Sequence, residues 1–154
     1  MMATTDTSVP GLRPSLNLIS YNMHGFHQGY SVIEDLIGQA EPDLFLLQEH
    51  WLTPDNLCKF ETYFSGYFSF GSSAMSRCVE SGMLRGRPFG GVIILVKKNL
   101  REHTVMVHCE ERFVIVKIFN YLFVNVYLPC CGCLYAMCLL AFGRGVNVTV
   151  IVSV

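Results

Sequence analysis

Two short stretches carry side chains whose types and spacing suit chemistry on a phosphate: Ile19-Ser20-Tyr21-Asn22-Met23-His24-Gly25 and Leu44-Phe45-Leu46-Leu47-Gln48-Glu49-His50-Trp51. Each is an apolar run that ends abruptly in polar, metal-capable groups. A strand delivering Asn22 and a second delivering Glu49 would bring an amide and a carboxylate to one rim of a sheet. Both are hard oxygen ligands of the kind Mg2+ or Mn2+ takes, and such ions keep waters and leave positions open for a substrate phosphate. A carboxylate at the end of a buried strand is costly to hold ionised unless a cation or a donor partners it.

The elements that must position these groups follow from the pattern around them. Residues 16–21 read as a strand, with residues 22–25 as the turn leaving it. Ser31 and Glu34 have the spacing of a capping box, so a helix is expected to start at Ser31 and to place Val32, Ile33, Leu36, Ile37 and Ala40 on one face. Pro42 closes it. The continuous apolar run 44–47 fits a strand buried on both faces, which makes the opening a βαβ-like unit. Thr53-Pro54 is a helix start, with Leu57, Phe60 and Phe64 as the apolar side. Residues 66–91 read mostly as loop with short strands. Strands follow at residues 91–96, 104–108, 113–118 and 122–128, with a tight turn near Asn120.

At 154 residues, 51% hydrophobic and 15% charged, the chain fits one domain with a sizeable core and is too apolar to be disordered. A net charge of -1 supplies no bulk attraction to a polyanion, so nucleic-acid binding must come from local patches. No Asp or Glu follows Glu111 and no His follows His108, which confines acid–base chemistry to the first three quarters. The seven cysteines lack the paired spacing of a structural zinc site and read as reduced or incidental thiols. No secretory signal is visible, so the Asn147-Val148-Thr149 sequon carries no weight and an intracellular place is expected. Residues 121–142 are free of charge and long enough to span a membrane. Asn125, Pro129 and Gly132 break that stretch, and a non-spanning tail is the favoured reading, with a tail-anchored protein as the alternative.

Four segments in order carry a family resemblance: residues 18–25; residues 41–51, from Glu41-Pro42-Asp43 to Trp51; Arg85-Gly86-Arg87-Pro88-Phe89-Gly90-Gly91-Val92; and Phe123-Val124-Asn125-Val126-Tyr127-Leu128-Pro129. Together they resemble the endonuclease/exonuclease/phosphatase superfamily, the deoxyribonuclease-I-like fold, and within it the endonuclease domains of LINE-type retrotransposons. The resemblance implies an α+β fold, the first half of a four-layer α/β/β/α sandwich, built from one mixed sheet with helices on its outer face. By composition, residues 1–14 read as a flexible lead-in and residues 130–154 as an apolar Cys-rich tail; the resemblance covers residues 15–129 as a partial domain. It implies Mg2+- or Mn2+-dependent cleavage of a DNA phosphodiester, with Glu49 ligating the metal, Asn22 organising metal and phosphate, and Tyr127 beside the scissile phosphate. Arg85 and Arg87 precede the Gly90-Gly91 strand and are candidates for the nucleic-acid backbone. His24, His27 and His50 receive no catalytic role from the family pattern.

The second half of such a domain carries a Gly-Asp-x-Asn motif and a terminal Asp-His pair, and neither has a counterpart here after Glu111. The resemblance therefore implies a truncated domain, weak or inactive alone, with a nuclear place by analogy. It also implies an inner sheet face left uncovered, open to self-association or to a partner, which makes a non-catalytic interaction fragment the alternative function. The alternating apolar segment 146–154 is a candidate to fold back over that face.

Overall fold

A computed structural model of the chain describes residues 15–83, 86–128 and 147–153. Strand β1 (Leu18–Asn22) leads through helix α1 (Phe26–Ala40) into β2 (Leu44–Gln48), and a 3-10 turn at Pro54–Asn56 precedes helix α2 (Lys59–Tyr63). Strand β3 (Tyr67–Ser72), helix α3 (Ser76–Glu80) and strand β4 (Val92–Lys97) follow. A second 3-10 segment, Lys98–His103, leads into β5 (Thr104–Glu110), β6 (Phe113–Ile118), β7 (Tyr121–Tyr127) and β8 (Asn147–Ser153).

These strands make two four-stranded sheets, ordered β1-β2-β4-β3 and β5-β6-β7-β8. The first is mixed: β1 runs parallel to β2, and β2 and β3 run antiparallel to β4. The expected α+β class with helices outside a mixed sheet is what forms, and β2 is buried along its whole length. Its alternation sorts the layers. Phe45 and Leu47 face α1 and α2 in a cluster with Phe26, Ile33, Phe60 and Phe64. Leu44 and Leu46 face the other way and pack with Val114, Val116, Ile118 and Phe123 of the second sheet.

That packing corrects one expectation. The inner face of the first sheet is covered, because β5–β7 supply the facing layer from within this chain. Consecutive antiparallel strands need only tight turns, so the run of strands from Thr104 onward builds a second sheet instead of extending the first. The alternating segment near the end does not lie across a face either. It forms β8, which pairs in parallel with β7 from Tyr121↔Asn147 to Tyr127↔Ser153. The remainder of the Cys-rich stretch, with Pro129, lies outside the described residues. Tyr121–Tyr127, the start of the span considered for a membrane, is a sheet strand, and among the described residues no helix is long and apolar enough to cross one.

Helix α1 begins five residues before the predicted cap. Gly25 precedes it with φ of 99°, and no side chain caps it. The Gly25 and Phe26 N–H groups instead donate to the Glu49 and His50 carbonyls at 2.8 Å each, so distant backbone satisfies the first donors of the helix. Starting at Phe26 also buries that ring against Phe60, with centroids 5.1 Å apart at 89°. Ser31 becomes an interior position and Val32 and Ala40 are exposed, leaving Phe26, Gly29 and Ile33 as the buried line of the helix. At the opposite side of the molecule β5 is an edge strand whose Val105, Met106 and Val107 are 61%, 51% and 42% exposed. A register irregularity between Met106 and His108 bends it.

Candidate phosphate-site rim

The C-terminal ends of the parallel strands β1 and β2 lie side by side, with Asn22 opposite Gln48. The chain leaves both strands in sharp turns. His24, Glu49 and Trp51 have φ of 47°, 54° and 54°, a conformation that L-residues adopt only where surrounding contacts enforce it. Here the contacts are backbone hydrogen bonds. Met23 N–H donates to Gln48 O at 2.9 Å, Glu49 N–H to Gly91 O at 2.9 Å, and Trp51 N–H to Gly90 O at 3.0 Å. The Trp51 ring lies over Gly25, where an added Cβ would stand 2.7 Å from Cε3.

Asn22 and Glu49 lie at neighbouring strand ends, and His24 stands between them. The Asn22 Oδ1 accepts the His24 N–H at 3.1 Å, and His24 Nδ1 lies 3.4 Å from Glu49 Oε2. The His24 side chain is 67% exposed and that of Glu49 16%, so the carboxylate is largely walled in beside an exposed imidazole. Sequence reasoning set His24 aside; its spacing two residues after Asn22, in the turn, was the available signal. Tyr127 ends β7 and reaches the same rim from the second sheet, its ring 3.5 Å (Cε1) from where a Cβ on Gly90 would stand. Arg87 is exposed three residues before Gly90, and Arg85 lies outside the described residues.

Two neighbours set this geometry. His50 is fully buried; its Nε2 faces Ser72 O at 3.1 Å and its Nδ1 accepts the Leu52 N–H at 3.0 Å, which fixes the neutral Nε2–H form. Asn125 is also fully buried and bridges the sheets. Its Nδ2 donates to Leu47 O at 2.9 Å and Ile93 O at 3.0 Å, and its Oδ1 accepts Gln48 Nε2 at 2.6 Å. Neither Gln48 nor Asn125 was assigned a role from sequence. A polar residue at an inward position of an apolar strand has to be hydrogen-bonded, and that was the signal.

Burial pushes the His50 pKa from 6.5 down to about 4, against a smaller opposing pull from Ser72 O. The unfolded chain therefore takes up this proton first as pH falls. Stability present above pH 6.5 is expected to drain away down to about pH 4, by about 3 kcal/mol in all. Urea denaturation of wild type and His50→Gln across that window tests this: the variant should be less stable at neutral pH but show a flatter dependence. Parallel slopes would show that His50 is not the titrating group.

Among the described residues no group of three or more His, Cys, Asp or Glu is gathered to hold a metal. The rim offers one carboxylate and one amide oxygen. That set fits an ion such as Mg2+, which takes one or two carboxylates and retains waters, and does not fit an all-protein cage.

No protein-family model matches the sequence, and no curated relative matches it. Solved structures do. An AP endonuclease from Leishmania major superposes with a TM-score of 0.55 at 18% identity, covering 73% of this chain and 40% of that one. A 3' phosphatase from Neisseria bound to product DNA hairpin gives 0.51 at 13% identity, covering 75% and 42%. An AP endonuclease from Archaeoglobus fulgidus gives 0.50 at 15%, also covering 75% and 42%. The fold is deoxyribonuclease-I-like. At these identities the likeness concerns the deoxyribonuclease-I-like fold alone, and the chain spans about two fifths of the length of the structures it matches.

Proposed function

We propose that the chain carries the first-half portion, residues 15–129, of a metal-dependent phosphodiesterase of the endonuclease type, acting on DNA and of LINE-type retrotransposon descent. The observation that carries this reading is the Asn22–His24–Glu49 linkage at the paired ends of β1 and β2. Glu49 and Asn22 would hold Mg2+ or Mn2+ with waters completing the shell. When bound, the ion supplies charge compensation on phosphate oxygens. The chain's own groups do the rest. Glu49 is aimed by its N–H bond to Gly91 O, and His24 covers Oε2 until an ion or substrate takes that place. The Tyr127 hydroxyl would donate to a non-bridging phosphate oxygen, and Arg85 and Arg87 would meet the backbone of the strand. Sequence after Glu111 supplies no Asp, Glu or His to deprotonate a water, so turnover by this chain alone is expected to be slow or absent.

The test pairs a binding readout with an activity readout. Millimolar Mn2+ should raise the melting temperature of the wild type and leave that of Glu49→Ala unchanged. Nicking of supercoiled plasmid, where it exceeds background, should vanish with chelator and in Glu49→Ala. Equal metal-induced shifts in both proteins would remove Glu49 as the ligand, and with it the reading.

A further inference from the structure

Beside the rim lies a cleft of about 270 Å3, lined by Ala74, Arg77, Phe89, Glu111, Arg112 and Tyr127. Nothing in the site described above uses Arg77, Phe89 or Arg112. Two guanidinium groups stand against one carboxylate, so the lining carries a net positive charge. Glu111 holds Arg77 from one side, with Nε 3.6 Å from Oε1, while the Arg77 side chain stays 79% exposed. Arg112 is exposed as well. Phe89 is the unusual member: a large aromatic ring 55% exposed at the mouth of a basic cleft, with no ring partner among the described residues. Exposed aromatic surface flanked by cations is the combination that binds unpaired bases, the ring stacking on a base face and the cations meeting phosphates.

We propose that this cleft holds an unpaired nucleotide of the strand whose phosphate meets the Glu49 rim, so that the substrate class is single-stranded or locally unpaired nucleic acid. The inference rests on the phosphodiesterase reading and specifies its substrate. The path between the two places is short. Gly91 O accepts the Glu49 N–H, Gly90 O accepts the Trp51 N–H, and Phe89 is the next residue along the same backbone. Gly90, with φ of 61°, lets that backbone pass beneath the Tyr127 ring. A cleft of about 270 Å3 has room for one base with its sugar and not for a base pair.

Fluorescence anisotropy of the full chain with a labelled oligothymidine strand, and with that strand annealed to its complement, tests the proposal in chelator, where no metal contributes. The single strand should bind more tightly than the duplex. Phe89→Ala should weaken single-strand binding roughly tenfold or more, with Phe89→Trp restoring it. Arg112→Gln should lower the slope of log affinity against log salt by about 0.7, one phosphate's share. Because Phe89 is a surface residue, its variants should melt with the wild type, and loss of binding then reports the cleft. Unchanged affinity in Phe89→Ala, or duplex bound as tightly as single strand, overturns the proposal. If single-strand binding holds while metal leaves Glu49 untouched, the cleft stands and the phosphodiesterase reading falls. The reverse pattern removes the cleft alone.

Discussion

Asn125→Asp is expected to destabilise the protein by about 3–5 kcal/mol, the cost of leaving a buried charge uncompensated. The substitution preserves shape and changes one amide to a carboxylate. In the wild type the amide nitrogen donates to two main-chain carbonyls, Leu47 O and Ile93 O, while the amide oxygen receives Gln48 Nε2. A carboxylate keeps the last contact and turns the other two into oxygen facing oxygen. Asn125 is fully buried, so bulk solvent does not screen the new charge. Urea denaturation at neutral pH measures the loss. Asn125→Leu separates charge from hydrogen bonding and should cost less, about 1–3 kcal/mol for the unsatisfied partners. If Asp and Leu cost the same, the introduced charge adds nothing beyond the loss of the amide donors. The Asp variant should regain stability as pH falls and the carboxyl takes a proton, because the acid form can again donate.

Gly91→Ala is expected to cost about 4 kcal/mol, combining backbone strain of 1–3 with a similar overpacking term. Gly91 has φ of 90°, a conformation suited to a residue without Cβ. An added methyl would also meet the His50 ring, within 2.3 Å of Nε2 and 2.4 Å of Cε1. The ring cannot step aside without losing Ser72 O and the Leu52 N–H together. Because Gly91 O also receives the Glu49 N–H, the damage should reach the rim. Denaturation gives the stability change, and the Mn2+-induced shift in melting temperature should shrink in whatever fraction stays folded. Gly82→Ala is the control: it also has positive φ, 69°, but its Cβ would enter open space, so only the strain term should appear. Equal losses at both glycines would mean that the His50 ring yields.

Much of this architecture was legible because burial writes itself into alternation. β2 and β6 were readable from their apolar runs, and the Asn22 and Glu49 ends of β1 and β2 from the abrupt change to polar side chains. What was not legible depends on partners far away in sequence. The true start of α1 needs the carbonyls of Glu49 and His50, which no local signal at Phe26 announces. Helix α3 was missed because Ser76-Arg77-Cys78-Val79-Glu80 has no buried residue and hence no apolar period. Strands β5, β6 and β7 were anticipated, yet not their place over the first sheet, and β8 was expected to lie across a face instead of joining the sheet. Strand signals fix which residues alternate and leave open which sheet they join. At the site, the same limit hid Asn125, His24 and the arginines of the cleft, whose roles arise from neighbours across β-sheet layers.

The parallel pairing of β7 with β8 has a consequence for synthesis. An antiparallel neighbour can form as soon as a turn has emerged, but β8 reaches β7 only after the intervening residues 128–146 have been made. Pairings this distant in sequence form late and slowly. During that interval β7, which carries both the Asn125 bridge and Tyr127, presents an open hydrogen-bonding edge beside an apolar core. During synthesis the nascent chain is therefore open to misassociation at the strand its candidate site depends on, until residues 147–153 arrive to pair with it.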